Sequence, residues 1–547
     1  MSNSYHMPKL PGPNSPRVVI NVDGADVEVP SDTNLLEALR TVGIETPHFC
    51  YHRDLPLSGN CRQCLVETDG PRGMGLTIAC YTPIRAGMKV ATPASSEKVK
   101  KARKAVMEFQ LVNHPLDCPI CDKAGECMLQ ENYMQAGQGE SRIREDIGKK
   151  YHGAPEHRFE DAKHQDRGGK AVDLGPRVVL DEERCILCDR CSRFMHHVAN
   201  DEQLIISYRG DHAYISTFPG KQLDHPYDLN VTDICPVGAL TSKDFRFKHR
   251  VWNLKRTPSI DPTDSLGTNL WIEHDGGRVY RIMPRCNAEV NRSWIANSSR
   301  AAYAALGENR LLGGYAQGKA IKSTDAMRSI MEILQAPGKI ALVASGHLTL
   351  EDNTALLELK NALGDRATVY GGSWLPVAKP DSIALSGDPV ANRAGVKRLG
   401  IADNLDQLIS DIHNYATLLV VGNDLWGANP EKAKALLAIP NRIAFSAWND
   451  ATVKASTLAL GINAWAEIRG AMINCQGRLQ LLNASPTAPA DDLEPAWKVL
   501  ARLAGTDWET DIQAWAATRK HIPALGELRY SDIPSEGVVL KLDGGKV

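Results

Sequence analysis

The sequence predicts a multidomain chain, α+β in its amino-terminal half and layered α/β in its carboxy-terminal half. Three observations carry that prediction. Eleven of the 13 cysteines lie before residue 236, in three groups. The first group is preceded by two alternating stretches and a short amphipathic helix. Beyond residue 306, short apolar runs alternate with helical stretches. At 547 residues the chain is long enough for several domains.

Composition excludes several classes. Apolar residues make up 43% and charged residues 23%, as in ordinary soluble globular proteins. A net charge of -2 leaves no electrostatic footprint for nucleic acid. The longest apolar runs are KIALVASG from Lys339 and TLLVVG from Thr417. Both fall far short of the roughly 20 residues of a membrane-spanning helix, so no direct span is expected. MSNSYHMPKLPGPNSP lacks the apolar core of a secretory signal, and residues 1–16 are expected to be a disordered leader. Clustered cysteines in a non-secreted chain point to metal or redox chemistry rather than a disulfide framework.

RVVINVDGADVEVP reads as a hairpin turned at Asp23-Gly24. SDTNLLEALRTVGI reads as a helix closed by Gly43. Cys50, Cys61, Cys64 and Cys80 follow. Hairpin, helix and cysteine loop resemble the plan of plant-type ferredoxins, a β-grasp fold. The first gap is ten residues, where that family has four. The plan points to a [2Fe–2S] cluster over residues 17–95, with a zinc loop as the alternative.

SSEKVKKARKAVMEFQLVNH reads as a helix with Val99, Ala102, Val106 and Phe109 on one face and its lysines and arginines solvated. It delivers His114 to the motif H-x3-C-x2-C-x5-C, which holds Cys118, Cys121 and Cys127. On spacing alone, His114 is either structural or a fourth ligand. Three cysteines with one histidine are also a good zinc set. As a cluster ligand, a neutral imidazole would leave one negative charge fewer than a thiolate and so alter electron affinity.

Cys185, Cys188 and Cys191 follow the bacterial ferredoxin rhythm C-x2-C-x2-C. Met195 stands where two-cluster ferredoxins place a cysteine that serves their other cluster. The closing ligand is remote, Cys235, followed by Pro236. That describes one [4Fe–4S] cluster standing alone. Three four-ligand sites need twelve ligands, and eleven cysteines plus His114 supply them.

Taken in order, C-x10-C-x2-C-x15-C, H-x3-C-x2-C-x5-C and C-x2-C-x2-C-x43-C resemble the large iron–sulfur subunit of respiratory complex I, the G or 75 kDa type of NADH:quinone oxidoreductase. PHFCYHRDLPLSGNCRQCLVE, HPLDCPICDKAGEC and DICPVGALTSK carry the likeness, which is dense over residues 17–250. The resemblance implies one [2Fe–2S] cluster on Cys50, Cys61, Cys64 and Cys80. It implies two [4Fe–4S] clusters, one on His114, Cys118, Cys121 and Cys127 in a domain over 96–150, the other on Cys185, Cys188, Cys191 and Cys235 in a ferredoxin-like domain over 151–250. It implies an electron relay with no substrate site in this chain. The partners would be a flavin- and NADH-binding subunit, then ferredoxin-like and quinone-site subunits, within a hetero-oligomeric complex. The chain would sit peripherally on the cytoplasmic side of the inner (plasma) membrane. The same module occurs in NAD-linked hydrogenases and formate dehydrogenases, many of which carry a double ferredoxin cassette. The single-cluster third set favours complex I. A zinc-stapled scaffold without redox function is the rival from another class.

Residues 251–305 resemble the small domain that opens molybdopterin oxidoreductases. Some relatives hold a further [4Fe–4S] cluster there through C-x2-C-x3-C and a later cysteine. This sequence has only Cys286, and Ala296 stands near the last position, so no cluster is expected. Cys286 and Cys475 are read as small buried apolar groups. Over residues 306–547, KIALVASG precedes LEDNTALLELKNALG, TLLVVG precedes PEKAKALLAI, and RIAFSAW follows. This predicts a layered α/β domain with a mainly parallel sheet. It has no G-x-G-x-x-G fingerprint and no P-loop. NCQGRLQLLNASPTAP resembles a segment of molybdopterin enzymes without offering a molybdenum ligand. The domain is therefore expected to be a molybdopterin-oxidoreductase-like scaffold, and no molybdopterin is expected. Trp252, Trp271, Trp294, Trp374, Trp426 and Trp448 are read as core or interface packing.

Overall fold

A computed structural model describes residues 7–111, 114–115, 117–137, 139, 170–210, 213–485 and 492–540. The chain folds as two compact units, Met1–Asn253 and Leu254–Val547. Part of the expected leader, residues 1–6, lies outside the described residues. In the remainder, the Lys9 carbonyl accepts a hydrogen bond from the Thr33 hydroxyl.

The first unit opens with the hairpin of β1 (Arg17–Val22) and β2 (Ala25–Pro30). Asp23 and Gly24 both take positive φ, 53° and 90°, the backbone that a tight hairpin turn requires. Helix α1 (Leu35–Thr41) follows, capped by Asn34, whose side chain accepts from the Glu37 N–H. Gly43, at φ 79°, ends the helical path as the sequence predicts. Strands β3 (Leu65–Gly70), β4 (Gly73–Ile78) and β5 (Lys89–Ala91) complete a mixed sheet in the order β2-β1-β5-β3-β4. Its core joins Ile20, Val29, Leu35, Leu36, Leu39 and Val66 to Cys64 and Cys80. The cysteine loops are thereby anchored to the packed side of the sheet.

Helix α2 (Glu97–Leu111) corrects the predicted apolar face. Val99 and Met107 are buried, Ala102 and Val106 are half-buried, and Phe109 is 72% exposed. At 100° per residue Phe109 falls well off the stripe that Val99, Val106 and Met107 share, so helical geometry outweighs its hydrophobicity. Arg103 is also not solvated. It lies on the buried stripe itself, between Val99 and Met107, and donates from Nε to the Leu65 carbonyl at 2.7 Å. Helix α3 (Met128–Ala136) ends at Gly137 in the left-handed region. Strands β6 (Val172–Asp173), β7 (Val178–Leu180) and β10 (Leu240–Ser242) form a small sheet, and β8 (Ile205–Ser207) pairs with β9 (Tyr214–Ser216). Helices α4 (Arg190–His197) and α5 (Asn230–Ile234) carry the last cysteine set.

The second unit begins with an antiparallel sheet of β11 (Lys255–Ile260), β12 (Asn269–Asp275) and β13 (Arg278–Pro284). A seven-stranded sheet follows. Strands β16 (Ile340–Val343), β17 (Ala367–Tyr370), β18 (Thr417–Val421), β19 (Asn441–Ser446) and β20 (Leu458–Gly461) pair in parallel in the order β20-β19-β18-β16-β17. Strand β14 (Gly314–Ala316) joins β20 in antiparallel fashion, and β15 (Lys319–Ile321) pairs with its other edge. Every residue of β16 and β18 is buried, which is why these strands read as unbroken apolar runs. Helix α6 (Leu350–Leu363) starts with a capping box, Thr349 with Asp352, and packs its apolar side into the main core. No described helix is long and apolar enough to cross a membrane.

Candidate metal centres

The structure brings Cys50, Cys61, Cys64 and Cys80 together, all buried. Cys61 and Cys64 bracket a turn in which Arg62 takes φ 58°, and Cys80 lies in the short turn Ala79–Tyr81. The Cys50 sulfur shares hydrogen bonds with Cys61 and Cys80, and Cys64 with Cys80. Those bonds hold the Cys50 and Cys64 thiols below the ordinary thiol range and push Cys61 and Cys80 above it. The Phe49 N–H donates to Cys61 Sγ at 3.4 Å. The Arg103 guanidinium favours the Cys64 thiolate, while burial pushes Arg103 itself down to about 10. Burial also pushes His48 to about 4 and His52 to about 3, so both imidazoles near Cys50 are neutral. Four thiols in one hydrogen-bonded group fit the all-cysteine donor set of a binuclear iron–sulfur centre.

In the second set, the exposed Cys118 heads the turn Cys118–Ile120, and the Cys121 N–H donates to its carbonyl at 3.1 Å. Cys127 stands at the N-cap of α3. Burial raises the Cys121 and Cys127 thiols, the latter to about 11. Arg250 braces the loop from Nη1 to the Cys121 carbonyl at 2.9 Å. The His114 N–H donates to the Leu111 carbonyl at 3.1 Å, and its side chain is half-buried at the loop's start. Three thiols on one short loop fit a tetranuclear centre that takes a fourth donor from nearby.

The third set lines one cavity. Cys185, Cys188, Cys191 and Cys235 face it, and Leu180, Ile186, Ile215, Val237, Ala239 and Leu240 supply apolar walls. Leu187 and Asp189 take φ 51° and 59°, so the backbone curls around the cysteines, and Cys191 enters from the first turn of α4. Cys235 caps the end of α5. The Leu187 N–H donates to Cys185 Sγ at 3.4 Å. Burial raises the Cys188 and Cys191 thiols. Deprotonating them in such surroundings requires a bound cation, as metal loading provides. The four thiols and dry walls fit a tetranuclear cluster.

Sequence reasoning missed the cations around these loops. Arg103, Arg190 and Arg193 all turn inward, and the only signal was the pair of arginines flanking Cys191 in DRCSR.

Cys286 and Cys475 are exposed, not buried. Cys286 lies just past β13. Cys475 lies in the turn between β21 (Gly470–Ile473) and β22 (Arg478–Leu482), beyond the core residues Ile473 and Leu479 of the two strands. As expected, no C-x2-C-x3-C stands in this domain, and the same spacing occurs among oxygen side chains, Asp261-x2-Asp264-x3-Thr268. All three residues are buried. Asp261 accepts from the Thr263 N–H at 2.8 Å, the Thr263 hydroxyl at 2.6 Å and the Ser299 hydroxyl. Asp264 accepts from the N–H groups of Leu266, Ser386 and Gly387 at 2.9, 2.9 and 3.1 Å. The Thr268 hydroxyl donates to the Ala384 carbonyl at 3.0 Å. Oxygens already committed to their own chain, with no thiol among them, do not fit an iron–sulfur cluster.

In the large sheet the strand order reverses between β16 and β18, where open α/β sheets bind cofactors. Here the crevice is filled from within. Ser345 Oγ donates to the Gly422 carbonyl at 2.6 Å, and Asn423 Nδ2 donates to the Gly372 carbonyl at 3.1 Å. A Cβ at Gly422 would lie 2.7 Å from Leu348 Cγ.

These thiol-lined sites define a class, the iron–sulfur proteins built from ferredoxin-type domains. Residues 15–95 match the 2Fe-2S iron-sulfur cluster binding domain, and residues 103–142 match the NADH-ubiquinone oxidoreductase-G iron-sulfur binding region. Residues 175–241 match the ferredoxin-like domain of NADH-quinone oxidoreductase subunit 3, and residues 254–304 match the NDSU1/NuoG-like 4Fe-4S domain. The chain is a homologue of the large iron–sulfur subunit of NADH-quinone oxidoreductases. It is 37% identical over 354 residues to the G-type NADH-quinone oxidoreductase subunit of Rickettsia felis, covering 63% of this chain and 49% of that protein. It is 39% identical over 374 residues to the mitochondrial NADH dehydrogenase [ubiquinone] iron-sulfur protein 1 of Solanum tuberosum, covering 67% and 47%. The match spans about half the length of these relatives. A chain from an NAD+-reducing [NiFe]-hydrogenase in the H2-reduced state is 26% identical over 43% of this chain and 91% of that one, with a TM-score of 0.34.

Proposed function

We propose that this chain is an electron-relay subunit of an NADH:quinone oxidoreductase. One [2Fe–2S] cluster would be held by Cys50, Cys61, Cys64 and Cys80. Two [4Fe–4S] clusters would be held by His114, Cys118, Cys121 and Cys127, and by Cys185, Cys188, Cys191 and Cys235. Such clusters, when bound, take up and release single electrons. The chain's own residues hold them, exclude water and tune them. The cavity in which four cysteines meet apolar walls carries this reading. The N–H donors from Phe49 and Leu187 aim at ligand sulfurs and ease the charge on the thiolates.

The partners in this reading are a flavin- and NADH-binding subunit upstream and ferredoxin-like and quinone-site subunits downstream. The chain would sit peripherally, on the cytoplasmic side of the inner (plasma) membrane. The second unit is a molybdopterin-oxidoreductase-like scaffold without its cluster or cofactor. The hydrogen-bonded carboxylates at Asp261 and Asp264 and the filled crevice beside Gly422 support that part. Iron and sulfide analysis of anaerobically purified protein, with low-temperature paramagnetic resonance, tests the whole. One binuclear and two tetranuclear centres, about ten iron atoms per chain, are expected. A colourless protein holding zinc refutes it.

A further inference from the structure

Helix α4 begins inside the third cysteine set, and two of its arginines reach out of that set. Arg190 is 5% exposed. Its Nη1 donates to the Ile234 carbonyl at 3.0 Å and lies 3.5 Å from Met128 Sδ, and its Nη2 donates to the Tyr51 carbonyl at 2.5 Å. Ile234 precedes Cys235, Met128 follows Cys127, and Tyr51 follows Cys50. One guanidinium thus touches a neighbour of a predicted ligand in each of the three sets. Arg193, one turn further, donates from Nη2 to the carbonyls of Cys50 and Cys188, and from Nη1 to the Pro56 carbonyl. Its Nε holds Asp189 at 2.7 Å, which also accepts from the Ser58 hydroxyl at 2.7 Å.

A buried cation is costly unless an anion faces it. Among the described residues Arg190 forms no ion pair with a carboxylate. The groups whose negative charge would favour the guanidinium, once they are thiolate ligands, are Cys188, Cys50 and Cys235, against burial and the neighbouring Arg193. We propose that Arg190 and Arg193 are positioning residues of the relay. They strap the Cys50 loop to the Cys185–Cys191 loop and place positive charge between the two ligand sets, which favours the reduced state of both centres. The assignment rests on the electron-relay reading.

The test uses the full chain, loaded anaerobically with iron and sulfide. The variants are Arg190→Met, Arg190→Lys and Arg193→Gln. Each centre is followed by redox titration under paramagnetic resonance, and iron per chain and melting temperature are read alongside. Arg190→Met should retain iron and make one-electron reduction of the first-set and third-set centres about tenfold less favourable, about 59 mV toward negative potential. Arg190→Lys, which keeps the charge, should restore most of that shift. A purely structural role would lower the melting temperature and leave both potentials in place, and that result overturns the assignment. Should Arg190→Met fail to load iron, Arg193→Gln decides: both potentials must move negative, and unmoved potentials overturn the proposal. A wild-type chain without paramagnetic centres would bring down the relay reading and this assignment together. Wild-type centres with unmoved variants refute the arginines alone.

Discussion

Gly238→Ala tests how tightly the second and third cysteine loops are packed. Gly238 lies three residues past Cys235, and an added Cβ would stand 2.4 Å from Cys121 Sγ and 3.3 Å from Lys123 Cβ. Non-bonded heavy atoms sit comfortably at about 3.5–4.0 Å, so the Cys121 sulfur must retreat by about 1 Å. The neighbourhood resists, because Cys121 is only 8% exposed and the Met128 N–H ties the adjoining loop to the Pro236 carbonyl at 3.0 Å. Overpacking of this kind costs about 1–3 kcal/mol. In a unit of this size that is about 2–4 °C of melting temperature per kcal/mol, hence a fall of about 6 °C in the middle of the range. Displacing one sulfur of the second set should also weaken its centre selectively. Calorimetry of the full chain, with paramagnetic resonance of each centre, reads both effects. A variant that melts within about 1 °C of wild type, with the second-set centre unaltered, refutes the packing argument.

Two further outcomes are expected. His114→Cys exchanges a neutral donor for an anionic one, so the second-set centre should persist at a more negative potential; an unchanged potential would rule out ligation by His114. Glu351 is buried on α6, where it accepts from the Ala471 N–H at 3.0 Å and the Tyr530 hydroxyl at 2.6 Å. Burial pushes it up to about 7, against 4.5 unfolded, with Asp352 and Arg469 nearby. The folded state therefore binds the extra proton. Its stabilising effect is complete below about pH 4.5 and is lost as pH rises toward 7, by up to about 3 kcal/mol. Glu351→Gln should flatten that slope in denaturant unfolding followed by tryptophan fluorescence, and a variant with the wild-type slope would contradict it.

What could be read from the sequence was local. The Asp23-Gly24 turn and the Gly43 helix end follow from backbone preferences of single residues, and the unbroken apolar runs at β16 and β18 mark strands buried on both faces. The gathering of Cys50 with Cys80, and of Cys185 with Cys235, was legible because few residue types cluster at such spacing without a shared ligand. What stayed hidden depends on partners distant in sequence. Phe109 is apolar yet points outward, because the helix can turn only one stripe toward its neighbours. Arg103 and Arg190 look like surface charge until the carbonyls of Leu65 and Tyr51 arrive to receive them. Cys286 and Cys475 looked like core residues, because nothing local distinguishes a turn at the edge of a sheet from one beneath it.

The oxygen side chains of Asp261, Asp264 and Thr268 separate the fates of the two halves. Knitted by its own amides and hydroxyls, this stretch of the second unit is tied together without a thiol. Under iron starvation or an oxidative burst, damage would therefore begin among the thiols of the first unit. The second unit would outlast it as an intact platform, so that in the proposed relay electron transfer would fail before this unit unfolds.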